Sequence, residues 1–422
     1  MPISLYLHIP FCAHRCAYCD FNTYAGQEAA IPAYVEALCK EIQAVGKSMP
    51  PSPFGRGAGG EGEIATIFFG GGTPSLLTPD HYRDIFQTIH RYFDLLPNAE
   101  ISLEANPGTV SPKYLSQLRE IGFNRISYGV QSANPTELRM LERIHSYSDV
   151  VDAVRWSRRA GFENLNLDLI YGLPEQSLAS WQRSVELILG LHPEHLSAYA
   201  LTLEHGTPFG RWARKGLLPL PDPDLAAEMY EWLDKYLSIN GYAQYEISNW
   251  AKTNTDSGHH ASFQCQHNLQ YWRNLPYLGL GAGAHGYANG IRYSNVLRIK
   301  TYIDRLKPTH PSLNTHNRSL ITDNCSPITD NWPISPAAVN HHRNTPREDM
   351  DETMMTGLRL TAEGISAQTF RERFGLELTH IYGGKIAHLT QLGLLEWSEN
   401  RLRLTRRGRL LGNQVFMQFI GE

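Results

Sequence analysis

Three cysteines near the start of the chain have the spacing most suggestive of chemistry. Cys12, Cys16 and Cys19 lie in one short segment directly after an apolar run. Thiolates are the usual protein ligands of iron–sulfur clusters, and three of them leave one iron of a 4Fe–4S cluster open to another ligand. A zinc site is the alternative, because His8 or His14 could supply the fourth ligand that structural zinc requires. The spacing favours the cluster, since one loop with these cysteines is compact enough to wrap it.

Further polar residues stand at the carboxyl ends of predicted strands. Six apolar segments predict strands, at 4–9, 64–69, 100–105, 125–130, 164–170 and 195–200. The glycine-rich segment 70–73 follows the second strand, and Glu104 ends the third. Gln131 follows the fourth strand, and Asp168 lies near the end of the fifth. Strand ends of this kind converge on one mouth in parallel α/β barrels, so we expect these residues to share a site with the cysteines.

Helical patterns separate the predicted strands, and this alternation is typical of a parallel sheet built from βαβ units. The helices are predicted at 31–45, 79–93, 112–121, 149–160 and 178–189. Six such units are too few for a closed eight-stranded barrel. We therefore expect an α/β fold with an open, partial (β/α)6 barrel.

The pattern along the chain predicts four parts. Residues 1–210 form the barrel, with a loop insertion at 47–63, and residues 211–306 extend it. Residues 307–346 are dense in Pro, Asn, Thr, Ser and His, which predicts a low-complexity linker. Within 347–422, helical patterns at 349–360, 368–374 and 384–392 precede a hairpin of 395–397 and 401–404. Helices followed by a small hairpin predict a C-terminal helical, winged-helix-like domain.

Composition and charge give no electrostatic case for a nucleic-acid or membrane partner. The chain has 422 residues, of which 42% are hydrophobic and 19% charged, and its net charge is −4. The basic run 401–409 is interpreted as a solvated surface, so no nucleic-acid partner is expected. No segment approaches the roughly 20 apolar residues of a transmembrane helix, and the first residues, without a cationic region or a long apolar stretch, do not lead us to expect a signal peptide. We expect a cytoplasmic protein that reaches a membrane only through a partner, with its clustered cysteines reduced and metal-bound.

The cysteine spacing and the glycine-rich segment together resemble the radical S-adenosylmethionine superfamily. The resemblance extends from residue 5 to residue 208 through LYLHIPFCAHRCAYCDF, FFGGGTPSLL, EANPG, RISYGVQS, NLDLIYGLP and LSAYALTLEHGTP. These segments are similar to the oxygen-independent coproporphyrinogen oxidase branch. The resemblance implies that S-adenosylmethionine chelates the open iron and that the reduced cluster cleaves its sulfonium.

The same resemblance implies roles for individual side chains. Contacts to the cluster-bound S-adenosylmethionine would come from Tyr6, Gly71 and Glu104, with Tyr18 along the adenine and Gly72 and Thr73 beside it. The positions that bind a second S-adenosylmethionine in the oxidase correspond to Gln131, Arg143 and Asp168.

Two features separate the chain from the oxidase and resemble the HemW-type haem chaperones. Phe21 stands where the oxidase has a fourth cysteine, and His267-Asn268-x-x-Tyr271-Trp272 resembles the chaperones' His-Asn-x-x-Tyr-Trp signature. Imidazole is a common axial ligand of haem iron, and aromatic faces pack well against a macrocycle. If the segment is helical, His267 and Tyr271 share one face. The resemblance implies haem contact by His267, Tyr271 and Trp272, and delivery of the haem to an acceptor protein.

Other interpretations stay open at this point. His267 can equally be a packing histidine among aromatic residues. The cofactor positions Gln131, Arg143 and Asp168 keep the radical decarboxylation of coproporphyrinogen propionates as the alternative activity. A nucleic-acid-modifying enzyme rests on the basic run alone.

Overall fold

The computed structural model describes residues 2–49, 63–253, 263–307 and 335–421. Most of the predicted insertion at 47–63 and residues 308–334 of the predicted linker lie outside these ranges.

The six predicted strands form the body of one sheet and pair in parallel in chain order. Their bounds are Ile3–Ile9, Glu63–Gly71, Asp94–Ala105, Arg125–Gln131, Asn164–Tyr171 and His195–Ala200. Most of their residues are buried, as expected for parallel strands that are covered on both faces. The prediction of a six-unit parallel core is confirmed.

Helices connect these strands, and several begin at a side-chain cap. They span Ile31–Ser48, Pro79–Tyr92, Pro112–Ile121, Pro135–Met140, Tyr147–Arg159 and Leu178–Leu189, with 3-10 turns at Glu28–Ala30, Pro74–Leu76 and Pro107–Thr109. Thr78, Ser111 and Ser177 each accept a hydrogen bond from a backbone N–H in the first turn of the helix that follows. Such caps satisfy otherwise unpaired N–H groups and fix where each helix starts.

The sheet continues beyond the barrel at both edges, and the described residues contribute twelve strands to it. A seventh parallel strand, Tyr277–Leu280, pairs with the first, and the antiparallel strands His285–Ala288, Ile291–Asn295 and Ala338–Arg343 follow it outward. The opposite edge carries Tyr242–Glu246 and Asn249–Lys252. Because the two edges lie at opposite ends of the strand order, the barrel is partial, as predicted.

Four further helices and a short strand pair complete this part of the chain. The helices are Pro208–Arg214, Pro223–Ile239, Gln266–Trp272 and Ile299–Arg305, and the parallel pair is Phe11–Cys12 with Tyr24–Ala25. One difference from the sequence analysis concerns the predicted linker. Residues 338–343 of it form an edge strand of the large sheet, although five of the six are exposed.

The C-terminal domain has its own apolar core, which includes Met354, Tyr382 and Phe419. Its helices are Pro346–Gly357, Ala367–Phe374, Leu378–Gln391, Arg406–Leu410 and Gly412–Met417. Strand Ile365–Ser366 pairs with Arg401–Leu404, which pairs in turn with Leu395–Ser398. This arrangement of helices and a hairpin confirms the winged-helix-like prediction.

Candidate functional site

The carboxyl ends of the barrel strands surround a cavity of about 410 Å³, which we call the mouth cavity. The structure brings most of the predicted cluster and S-adenosylmethionine residues to its wall. They are Cys12, Cys16, Tyr18, Cys19, Gly71, Gly72, Thr73, Glu104, Gln131, Arg143 and Asp168. Side chains from the thiol loop and from four successive strands therefore meet at one point, as barrel geometry requires.

The three cysteines are free thiols with polar neighbours. Thr73 Oγ1 donates to Cys12 Sγ at 3.6 Å, and Arg143 Nη1 lies 3.5 Å from Cys16 Sγ. Burial raises the pKa of Cys12 and of Cys19 above the ordinary thiol value. Three soft sulfur donors beside a guanidinium suit an iron–sulfur cluster, because the cation offsets the negative charge of the thiolates.

A cluster and a single ion make different demands on these thiols. Within the described ranges, no three His, Cys, Asp or Glu side chains are close enough to hold one metal ion. In a 4Fe–4S cubane each thiolate binds a different iron, so the three sulfurs need not converge on a point.

The glycine-rich segment lies against the backbone that leads into the thiol loop. Gly72 N donates to Ile9 O at 2.8 Å, and a Cβ at Gly72 would lie 2.6 Å from Phe11 O. Gly71 has a φ of +113°, and a Cβ there would lie 2.4 Å from the His8 ring. These glycines are therefore required by the packing of the chain itself, whatever ligand approaches their exposed edge.

Two carboxyl groups that line the mouth cavity have a pKa above the ordinary value. Glu104 Oε2 accepts the Gly71 N–H at 2.9 Å, and burial raises the pKa of Glu104 to about 7. Asp168 accepts hydrogen bonds from Ser127 Oγ at 3.0 Å and from Asn166 Nδ2 at 2.7 Å. Burial also raises the pKa of Asp168. A bound cation such as a ligand ammonium would stabilise the ionised form of either group.

Gln131 and Arg143 occupy the part of the mouth cavity beyond the fourth strand. Gln131 has a φ of 68° and lies at an irregularity in the pairing of the fourth and fifth strands. Non-glycine residues adopt this conformation uncommonly, so the backbone here is set by the surrounding structure and not by the preference of glutamine. Arg143 Nη2 donates to Gly129 O at 2.6 Å, whereas its buried Nε has no partner in the described part of the chain. That unpaired N–H is available to a ligand.

The predicted haem motif forms a short helix, Gln266–Trp272, which we call the motif helix. Glu100 anchors its start, because the carboxylate accepts the backbone N–H of Gln266 at 3.0 Å and of His267 at 3.2 Å. His267 and Tyr271 share one face, as predicted, with His267 Nε2 and the Tyr271 hydroxyl 2.8 Å apart.

His267 does not offer a free ring nitrogen in this structure. Its side chain is 1% exposed, its Nδ1 lies 2.6 Å from Thr66 Oγ1, and its Nε2 bonds to Tyr271. Burial lowers the pKa of His267 to about 3, so the ring is neutral. The expectation that His267 ligates haem directly conflicts with this geometry, because both ring nitrogens are already hydrogen-bonded.

The other two motif aromatics face different neighbours. The guanidinium of Arg359, in the C-terminal domain, lies 4.3 Å from the Trp272 ring, so Trp272 packs against that domain. Tyr271 meets Tyr277 edge-on, with ring centroids 4.5 Å apart. Of the three motif residues predicted to contact haem, Tyr271 lines a second cavity of the described part of the chain, and neither His267 nor Trp272 is among the residues lining that cavity.

That second cavity, of about 380 Å³, is here called the aromatic cavity. Its wall includes Tyr6, Phe21, Tyr271, Tyr277 and His285. Tyr6 was expected beside S-adenosylmethionine, but it lines this cavity and not the mouth cavity, because its strand position turns the ring toward the motif helix.

The predicted solvated basic run makes contacts within the protein. Arg409 Nη1 donates to Gln244 Oε1 at 2.7 Å, which joins the C-terminal domain to an edge strand of the sheet. Arg401 Nη1 donates to the Glu363 carbonyl oxygen at 2.9 Å.

Comparison with known proteins agrees with this geometry. Residues 6–188 match the Radical SAM superfamily, and residues 344–411 match the HemN C-terminal domain. The heme chaperone HemW of Bacillus subtilis is 38% identical over 424 aligned residues, which cover 99% of each chain. HemW of Haemophilus influenzae is 32% identical and covers 100% of this chain and 98% of its own.

The chain belongs to the HemW family of heme chaperones. The resemblance deduced from its cysteine, glycine and His-Asn-x-x-Tyr-Trp segments is thereby confirmed. A solved structure, coproporphyrinogen III oxidase (HemN) from Escherichia coli, matches with a TM-score of 0.76 at 22% identity, covering 99% of this chain and 90% of that one. At this identity the likeness establishes the shared fold alone.

The family assignment does not by itself say whether the protein crosses a membrane. None of the helices in the described ranges is long and apolar enough to cross a bilayer.

Sequence reasoning misses several residues of the mouth cavity in this HemW-family chain. Ser127 and Gly129 line it, as do Asn106 and Tyr199. Ser127 and Gly129 alternate with Gln131 along the fourth strand, and side chains two residues apart point to one face of a strand. That alternation was the signal that could have found them.

Proposed function

We propose that this chain binds haem and delivers it to an acceptor protein, and that it holds a 4Fe–4S cluster with S-adenosylmethionine while doing so. The observation that carries the proposal is the meeting of Cys12, Cys16 and Cys19 with a glycine edge and a carboxyl group in one cavity. This arrangement occurs in a chain whose HemW relatives align along its whole length. The radical SAM match supports the cluster and S-adenosylmethionine, and the name of the relatives supports haem.

The residues of the mouth cavity suit S-adenosylmethionine bound at the open iron. The Glu104 carboxylate can accept the methionyl ammonium, and the exposed edge of Gly71 and Gly72 can contact the methionine part. Tyr18 offers an aromatic wall for the adenine. When bound, the cluster supplies one-electron reduction of the sulfonium ligand. The protein's part is to position that ligand and, through Arg143 beside Cys16, to offset the charge of the thiolates.

Polar groups further along the same wall complete the nucleotide side of the site. Gln131, Arg143 and Asp168 are proposed to contact S-adenosylmethionine, with the unpaired Nε of Arg143 as one donor. Whether they take a second molecule is measured by the stoichiometry of binding, which should exceed one per cluster if they do.

The haem part of the proposal places the cargo beside the motif helix. Tyr271 presents its ring to the aromatic cavity, and His267 holds the Tyr271 hydroxyl. Trp272 supports the helix from the side of the C-terminal domain. The proposal includes a cytoplasmic location, because free thiols of this kind persist in a reducing compartment. It also includes an acceptor protein that brings the chain to a membrane.

Two measurements on the full-length protein test this function. Adding S-adenosylmethionine to the anaerobically reconstituted, reduced cluster should change its electron paramagnetic resonance spectrum, and an unchanged spectrum at saturating ligand would contradict the site. Titrating haem should give a shifted Soret band that saturates at about one haem per chain, as expected for a defined axial ligand. Uptake that never saturates would indicate nonspecific adsorption and would contradict the haem function.

A further inference from the structure

The aromatic cavity contains a histidine that differs from His267 in one decisive respect. His285 begins the strand His285–Ala288, is exposed, and lines the cavity. Its ring forms no hydrogen bond with any of the described residues, unlike the rings of His8 and His267. His8 also lines the cavity, but it bonds to the Tyr6 hydroxyl at 3.0 Å and to Asn22 O at 2.9 Å. Among these three histidines, only His285 has a nitrogen free to bind iron.

The walls around His285 suit a flat, largely apolar ligand. Tyr271 and Tyr277 stand edge to face on one side, and Phe21 and Leu297 line the opening. Phe21 is 65% exposed and Leu297 is 57% exposed, so both present apolar surface that a ligand in the cavity could cover. Aromatic and aliphatic surfaces around an imidazole provide the packing and the axial ligand that haem requires.

The position of the cavity links it to the thiol loop. Asp20 and Phe21 directly follow Cys19, and both line the mouth cavity as well as the aromatic cavity. A ligand in the aromatic cavity would therefore contact the same Phe21 ring that borders the thiol site. Leu297, which lines the same cavity, is exposed, so a ligand there would lie next to solvent, as a carrier that must release its cargo requires.

We propose that the aromatic cavity is the haem-binding site and that His285 is the axial ligand of the haem iron. Tyr271, Tyr277 and Phe21 pack against the macrocycle. His267 is a positioning residue that holds Tyr271 through its Nε2 contact of 2.8 Å. This inference rests on the proposed haem function and adds the identity of the site and its ligand.

The test compares haem titrations of four full-length variants with the unmodified protein. His285→Ala and His285→Gly remove the proposed ligand. His267→Gln keeps a hydrogen-bond donor and acceptor near Thr66 and Tyr271 while removing the imidazole. His380→Ala, an exposed histidine of the C-terminal domain, is the matched control. Melting temperature and cluster absorption are recorded for each variant, so that misfolding is recognised.

The expected result is a loss of haem affinity of about tenfold or more in both His285 variants, with loss of the Soret band of imidazole-ligated haem. His380→Ala should retain the band with an affinity within about threefold of the parent protein. His267→Gln should also retain the band, although its affinity can fall, because it removes a support of Tyr271 and no ligand of the iron. Added imidazole should restore both the haem affinity and the imidazole-ligated Soret band of His285→Gly, because it can occupy the vacated ligand position. A purely structural role for His285 would give no such rescue.

Other outcomes overturn particular parts of the reasoning. If His285→Ala binds haem like the parent while His267→Gln loses the imidazole-ligated band, the ligand assignment is wrong and the proposed haem function stands. If both histidine variants lose binding, rescue of His285→Gly by imidazole supports the assignment and absence of rescue overturns it. If the unmodified protein shows no saturable haem binding, the proposed function itself fails.

Discussion

Replacing Glu104 with glutamine should stabilise the protein without its ligands and weaken S-adenosylmethionine binding. Glu104 is half-buried at the mouth cavity, and its pKa rises from an ordinary 4.5 to about 7, chiefly because of burial. Glutamine has nearly the same shape and can still accept the Gly71 N–H, but it carries no charge to desolvate. The substitution therefore isolates the energetic cost of the carboxylate.

The sign and size of the effect follow from proton linkage. The folded protein holds this proton up to a pH of about 7, whereas the unfolded chain releases it near 4.5. The folded parent protein therefore loses stability as pH rises from 4.5 through 7, and that loss is complete above 7. The shift corresponds to at most about 3 kcal/mol, and partial access of water to Glu104 reduces the expected value to about 1–2 kcal/mol.

The assay is denaturant unfolding of the ligand-free protein between about pH 4 and about pH 8, for the parent and Glu104→Gln. The difference in unfolding free energy should be near zero at the acidic end and grow with pH in favour of the variant. Glu120→Gln, at an exposed helix position, reports the effect of removing one surface charge. A difference that does not vary with pH would refute the reasoning about burial. In the reconstituted protein, the variant should bind S-adenosylmethionine about tenfold more weakly, and equal affinity would refute the ammonium contact.

Three shorter predictions concern the thiol loop and its surroundings. Joint replacement of Cys12, Cys16 and Cys19 by alanine should abolish binding of about four irons and the visible absorption, and a fully loaded variant would contradict the cluster. The purified, reduced protein should not convert coproporphyrinogen III, since the phenyl ring of Phe21 can neither ligate metal nor exchange a proton; robust product formation would contradict this. Gly72→Val should lower both the melting temperature and the iron content, because its Cβ would lie 2.6 Å from a backbone carbonyl oxygen, and normal folding and loading would show that the backbone can yield.

The barrel was predictable because its strands are long, buried and separated by helices. Each of the six predicted strands overlaps an observed one, and the helices Pro112–Ile121 and Leu178–Leu189 match to the residue. In these segments local pattern and tertiary burial agree, so the sequence is unambiguous.

Two strands of the extended sheet were not predictable for opposite reasons. Tyr277–Leu280 is short and contains Gly279, which weakens the strand pattern but is required because a Cβ there would lie 1.7 Å from the His285 carbonyl oxygen. Ala338–Arg343 is mostly exposed and polar, so it shows no alternation between a buried and a solvated face. Its place in the sheet depends on pairing with Ile291–Asn295, which local sequence does not reveal.

The haem motif shows a different limit to what can be predicted from sequence. The segment is helical, and His267 and Tyr271 share one face, as expected on that condition, but residue types do not state which groups already have partners. Thr66, far away in sequence, takes the Nδ1 of His267, and this contact becomes visible only when the second barrel strand is packed against the motif helix. A histidine that a signature singles out can thus support a site without touching its ligand.

One tyrosine ring lies beside both the mouth cavity and the aromatic cavity. A substitution in the motif helix can therefore affect both cavities. The Tyr6 ring lies close to Gly70 and Glu104 on the side of the mouth cavity, and it also lines the aromatic cavity beside Tyr271. Tyr271 is held by His267, so removing that imidazole frees a wall of the aromatic cavity and disturbs the neighbour of a mouth-cavity carboxylate. Loss of haem in a His267 variant would therefore follow from displacement of Tyr271 as readily as from loss of an iron ligand. Only a readout of the iron's own coordination, such as rescue by free imidazole, separates these two causes.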